Sequence, residues 1–108
     1  MAISIIYITC PSKEEAETIA GQMVKERLAA CANIFPISSM YWWEKTIQTD
    51  QEWVAILKTR NSLWQILQER VASIHPYEIP CIVRFKVDAN PAYEVWIKKE
   101  TRRGKEVI

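Results

Sequence analysis

Glycine is almost missing from this chain: Gly21 and Gly104 are the only two in 108 residues. A glycine-rich loop whose backbone amides wrap a phosphate is therefore excluded. Histidine is reduced to a single residue, His75, and no nucleophile–base signature accompanies it, so the chain is not read as an enzyme. The three cysteines, Cys10, Cys31 and Cys81, are odd in number and far apart, which argues against the disulfide framework of a small secreted domain. A net charge of +1 leaves no strong field to steer the chain to nucleic acid or to an anionic membrane, and neither is expected as a partner. No apolar run approaches membrane-spanning length. Met1-Ala2-Ile3 also lacks the basic opening of a signal peptide, so a cytoplasmic location is expected.

What is present describes one globular domain over residues 1–108. Hydrophobic residues make up 49% and charged residues 25%, enough for one core without a disulfide or a metal needed for folding. Five tryptophans are the unusual figure, and they point to a packed interface as well as a core. Ala2 to Cys10 is β-branched and aromatic and reads as a strand. After Pro11, Ser12 and Glu15 form a capping box for a helix with the stripe Ala16, Ile19, Ala20, Met23, Val24 and Leu28. Gly21, inside that helix, is expected to mark close packing on the sheet.

From Cys31 to Gln48 the pattern is extended, with bends or bulges expected at Asn33, Pro36 and Ser38-Ser39 and a turn at Thr49-Asp50. Glu52 to Thr59 reads as a strand, and Asn61 or Ser62 caps a second helix with the stripe Leu63, Ile66, Leu67, Val71 and Ile74, ended by Pro76. Cys81 to Val87 alternates, with Val83, Phe85 and Val87 on one side and Arg84 and Lys86 on the other. Asn90-Pro91 opens a last short helix carrying Tyr93, Trp96 and Ile97, and the charged tail from Thr101 to Ile108 is expected to fray or to serve a neighbouring chain.

This order predicts an α+β, ferredoxin-like βαββαβ sandwich with an extra C-terminal helix and a long bent second strand. The first and third strands are then central, and both are apolar on both faces: Ile3, Ile5 and Tyr7 against Ile6 and Ile8, and Trp53, Ala55 and Leu57 against Val54 and Ile56. A half-solvated antiparallel sheet alternates instead. One short helix covers about half of such a face. Self-association is therefore predicted, with Tyr41, Trp42, Trp43 and Trp53 as interface aromatics. The far half of the second segment, Ser39 to Gln48, adds an edge expected to lack a full-length partner within the chain.

Several blocks carry a family resemblance. Arg27-Leu28-Ala29-Ala30-Cys31-Ala32-Asn33-Ile34, Pro36, Ser39-Met40-Tyr41-Trp42-Trp43-Glu44, Leu57-Lys58-Thr59, His75-Pro76-Tyr77-Glu78-Ile79-Pro80, Tyr93 and Trp96 come in the order of the CutA divalent-cation-tolerance family and span nearly the whole chain. The chain resembles that family. The resemblance implies a ferredoxin-like homotrimer, with the long second strand and its hairpin reaching onto neighbouring subunits, and a role in tolerance of copper and other divalent metals. Two departures stand out: the stretch between Asn33 and Tyr41 is one residue short, and Lys45 stands where many members have glycine.

Copper or another divalent cation is the ligand to weigh. Reduced copper prefers thiolate, and oxidised copper imidazole or mixed donors. Cys10 lies between the first strand and a helix N-terminus, a setting that favours thiolate. The family resemblance implies ligation by that cysteine and by a His-His pair, which Cys10 and His75 match and Ile74 does not. Against this, Cys31 and Cys81 read as small buried hydrophobes, and His75 reads equally well as a helix-end group bonded to backbone carbonyls. RNA binding lacks its basic Gly-aromatic octamer. The competing readings are a small-molecule or anion-binding signalling trimer, with Lys58, Tyr77 and Glu78 in an inter-subunit cleft, and a stable scaffold for protein partners.

Overall fold

The computed structural model describes residues 2–103. Four strands, β1 (Ala2–Cys10), β2 (Cys31–Trp43), β3 (Thr46–Arg60) and β4 (Ile82–Asp88), form one antiparallel sheet in the order β2-β3-β1-β4. The helices are α1 (Lys13–Lys25), α2 (Trp64–Ile74, preceded by a 3₁₀ turn at Asn61–Leu63) and α3 (Pro91–Glu100). This is the predicted ferredoxin-like order, with β1 and β3 central.

Register decides which side chains meet. β1 pairs Ile6 with Leu57 and Ile8 with Ala55, so these face the same side, where α1 and α2 supply Ala16, Ile19, Ala20, Met23, Leu67 and Val71. These residues form the core. The alternate residues, Ile5, Tyr7 and Ile56, with Phe35, Val83 and Phe85 beside them, face the opposite side. There α3 packs on β1 and β3 but covers only one end, and Ile97 of α3 and Ile3 of β1 are both buried.

Local chemistry explains the boundaries. Ser12 Oγ accepts the Glu15 amide at 3.1 Å and starts α1. At the other end Arg27 adopts φ 61°, its amide bonds to the Val24 carbonyl, and the Leu28 amide bonds to that of Met23. This is a Schellman closure, with Leu28 buried beyond the helix rather than on its stripe. Asn61 is not a cap. Its side chain accepts from Ser4 Oγ and donates to the Ala2 carbonyl at 3.1 Å, tying the 3₁₀ turn to β1.

Several expectations are corrected. The reversal between β2 and β3 is a two-residue turn at Glu44-Lys45, both at positive φ (47° and 69°), and Thr49-Asp50 lies inside β3. Pairing runs without interruption from Cys31 opposite Lys58 to Trp43 opposite Thr46, so Asn33, Pro36 and Ser38-Ser39 carry no bulge. The far half of β2 is therefore paired, with the distal half of β3. Pro36 is tolerated because β2 is an edge strand. Gly21 does not pack closely: a Cβ there meets nothing within 4 Å. Cys31 and Cys81 are half-buried rather than sealed in the core. Thr101 is buried and bonds to Ile97 and Arg60, so the first residues of the tail are packed, while residues 104–108 lie outside the described residues.

Because β1 meets β3 only as far as Trp53, residues 46–52 of β3 continue with β2 as a two-stranded arm. It extends about 23 Å at 3.3 Å per residue. The molecule is correspondingly long, 44 × 28 × 22 Å, with a radius of gyration of 14.4 Å; a compact chain of this length has about 13 Å.

Left-handed backbone costs a non-glycine residue about 1–2 kcal/mol, against about 0.5–1 kcal/mol for glycine's extra chain entropy. Lys45→Gly is therefore expected to stabilise the protein by about 0.5–1 kcal/mol. Equilibrium denaturation measures this, and a lower midpoint in the variant contradicts the turn geometry.

Candidate functional site

The end of the sheet where β1 runs into α1 gathers most of the polar chemistry expected from the sequence. Pro76 stops α2, and His75 takes an extended conformation at its C-cap. The ring is thereby turned back onto β1. Its Nε2 lies 2.8 Å from the Thr9 carbonyl, and its Nδ1 accepts the Tyr77 amide at 3.0 Å. A carbonyl only accepts, so Nε2 carries the proton and both ring nitrogens are engaged.

Tyr77, its ring centroid 4.9 Å from that of His75, donates to Glu52 Oε2 at 2.6 Å. Glu52 is buried in β3, and this hydroxyl supplies the polar partner a buried carboxylate needs. Burial first, and the Glu52 carboxylate second, push the Tyr77 phenol upward. On the same face Tyr41 donates to Asp50 Oδ2 at 2.5 Å, and that hydrogen bond raises its phenol as well. Two carboxylates two residues apart are thus each met by a tyrosine hydroxyl.

Cys10 differs from expectation. It is fully buried, facing α1 and α2, and burial pushes its thiol up to about 11, with smaller contributions from Glu15 and Glu52. Removal from water outweighs the helix terminus, so the thiol stays protonated at neutral pH. The fold does bring Cys10 and His75 together, since the imidazole bonds to the residue preceding the cysteine. The donor types suit Cu(I), yet neither stands open as a ligand. Ile74, where the resemblance calls for a second histidine, packs against the core. No group of three or more His, Cys, Asp or Glu side chains able to hold a metal occurs among the described residues.

The aromatics expected at an interface divide. Trp42 is 71% exposed, beside Met40 at 74% and Ile47, on one face of the arm; Tyr41 and Trp43 lie on the other. Trp53 is different again: its register turns it to the helix side, where it packs on the core with Lys13 Nζ 5.8 Å from the ring centroid. Trp53 is therefore not on the open face of the sheet, where an interface residue is expected. Lys58 does not join Tyr77 and Glu78 within the chain. It lies at the other end of β3, over the Tyr93 ring, about 20 Å of strand from Glu52, the residue Tyr77 reaches. Glu78 is exposed.

Sequence reading missed Glu52, Asp50 and the pairing of Cys31 with Tyr93. The available signal was Glu52 itself, a carboxylate opening the otherwise apolar run Trp53 to Leu57.

Cys10 yields a test. In the native protein its alkylation by iodoacetamide is expected to be negligible at pH 8 and to climb towards pH 11, as read by mass mapping. The folded state holds this proton more tightly than the unfolded chain, so its contribution to stability is present below pH 9 and is lost as pH rises towards 11. Alkylation at pH 8 as fast as in the unfolded chain contradicts the burial.

Comparison with known proteins agrees with this architecture. The family model for the CutA1 divalent ion tolerance protein matches residues 4–100. The divalent-cation tolerance protein CutA of Pyrococcus horikoshii is 46% identical over 100 residues, covering 92% of this chain and 98% of that protein. The solved structure of the periplasmic divalent cation tolerance protein CutA from Archaeoglobus fulgidus superimposes with a TM-score of 0.90 at 39% identity, over 93% of this chain and 99% of that one. CutA1 from Oryza sativa gives a TM-score of 0.90 at 41% identity, over 94% and 95%. With a family model spanning nearly all its strands and helices, the chain belongs to the CutA1 divalent ion tolerance family.

Proposed function

We propose that the chain works as a homotrimer in tolerance of divalent metal ions. The observation that carries the assembly is the bare face of the sheet. Phe85 is 53% exposed and Val83 42%, with Phe35 beside them across β1 and β3, and on the same face the arm adds Tyr41 and Trp43. An apolar face continuous across four strands is stabilised by burial, at about 25 cal/mol per Å² removed from water. A further subunit of the same chain supplies a matching face. The number three rests on the family resemblance, and the metal role on the name its relatives carry. Three unpaired thiols support a reducing compartment, and we assign the protein to the cytoplasm.

Sedimentation at micromolar concentration is expected to give three times the chain mass, and Phe85→Lys to lower it, because the substitution places a charge in the buried face. A monomeric native protein overturns the assembly.

A second reading, direct copper contact at Cys10 and His75, is favoured by the bond from His75 to the Thr9 carbonyl, which holds the imidazole beside the strand end carrying Cys10. Loading then requires the thiol to lose its proton and the ring to release a backbone partner. Cu(I) affinity, measured by competition with a chelator, is expected to fall in Cys10→Ala and in His75→Ala, and equal affinities eliminate the pair. In the same material a thermal shift with nucleotides or anions, and none with copper, favours the signalling trimer instead.

A further inference from the structure

The net charge of +1 is a balance between two unlike ends of the molecule. α1 leaves β1 at Cys10 and returns to the opposite end of the sheet, where β2 starts at Cys31 across from Lys58. At the Cys10 end, Glu14 and Glu15 stand in the first turn of α1, the arm carries Glu44, Asp50 and Glu52, and Glu78 follows α2, with Lys13 and Lys45 as the cations among them. At the other end Lys25 and Arg27 close α1, and Lys98, Lys99, Arg102 and Arg103 lie in the last turn of α3 and just beyond it. The Arg102 amide donates to the Arg27 carbonyl at 2.9 Å, which brings these two groups of cations side by side. The carboxylates nearest them are already paired, Glu26 with Arg70 at 3.0 Å and Glu100 with Arg27 at 2.7 Å. Cations at a helix C-terminus offset its dipole, but the dipole supplies only about half a negative charge per helix. The cations here exceed that severalfold.

A cleft of about 300 Å³ opens between the same two segments. Val24 of α1, Ala29, Ala30 and Trp96 of α3 give it apolar walls, and Lys25, Arg27 and Glu100 also line it. Trp96 is 40% exposed and Val24 38%, so both keep apolar surface in water. Tyr93 stacks on the indole with ring centroids 5.7 Å apart, which holds the wall in position. Arg27 uses only Nη1 on Glu100, donating to its carboxylate and its carbonyl. Among the described residues Nε and Nη2 have no acceptor, and that edge of a guanidinium suits a second carboxylate.

We propose that this end of the molecule docks an acidic segment of a partner protein, with one large apolar side chain against Trp96 and Val24 and flanking carboxylates on Arg27 and Lys25. The chemistry favours this partner over other polyanions. Walls of Val24, Ala29 and Ala30 give an apolar side chain its contacts and give the polar edge of a nucleobase none. Trp96 and Val24 line a recess, which receives a side chain, whereas membrane insertion needs apolar groups that project. The cleft is lined by one chain, so the inference goes beyond the trimer and does not rest on it.

The test uses the native full chain and the fluorescence anisotropy of a dye-labelled heptapeptide, a phenylalanine flanked by three glutamates on each side, at low ionic strength. Binding is expected, weakening as salt is added, and about tenfold tighter than that of the same peptide with alanine at its centre. Lys25→Glu and Arg27→Gln are each expected to weaken it about tenfold, and Lys45→Glu, at the acidic end, to leave it unchanged. No binding of the phenylalanine peptide, equal affinity for the two peptides, or an affinity unmoved in both Lys25→Glu and Arg27→Gln overturns the proposal. Tighter binding of a thymidine heptanucleotide or of phosphatidylserine vesicles also overturns it, by assigning the cations to nucleic acid or to a membrane. A lower sedimenting mass in Lys25→Glu does the same, by assigning them to a second copy of the chain. The two peptides are compared on the unsubstituted protein, so that comparison decides the matter even where a variant misfolds.

Discussion

An antiparallel strand sends alternate side chains to opposite faces, and in β1 and β3 both sets are apolar. Two helices satisfy one set. The other meets α3 at one end only, because a ten-residue helix, about 15 Å long, cannot cover four strands. The remaining face, with Phe35, Val83 and Phe85, is therefore left exposed by the described residues. That exposure follows from the periodicity of β1 and β3 and from nothing more specific.

Much of the fold was legible for that reason. β1 was bounded correctly by its β-branched run and Pro11, α1 by Ser12, and α2 by Pro76, each a residue whose geometry forces a boundary. The hairpin was misplaced because its turn carries Glu44 and Lys45 rather than glycine or asparagine. Thr49-Asp50 looked more turn-like, yet Thr49 pairs with Met40 and Asp50 with Ser39. Leu28 was read as helical because its spacing fits the stripe. Only the backbone at Arg27, left-handed without a glycine to announce it, shows that Leu28 caps the helix from outside.

The candidate site was legible in part, and its failures have a common cause. Residue type nominated Cys10 and His75, and topology does bring them together. Their availability depends on what surrounds them: a core that raises the thiol, and two backbone groups that occupy the imidazole. Neither is encoded locally. Glu52 shows the same from the opposite side, since its partner Tyr77 lies 25 residues away in sequence. The Cys31–Tyr93 contact spans 62 residues and needed the docking of α3 to become visible.

β3 runs unbroken for 15 residues, from the tip of the arm to the last residues under α3. Its distal half carries Asp50 and Glu52, held by two tyrosines; its other end carries Lys58 over Tyr93. A paired strand is stiff along its axis, so a load applied at the tip travels down the rod rather than being absorbed midway. Whatever grips the arm therefore pulls on both ends of the molecule at once, and two chemically unlike regions share a single mechanical spine.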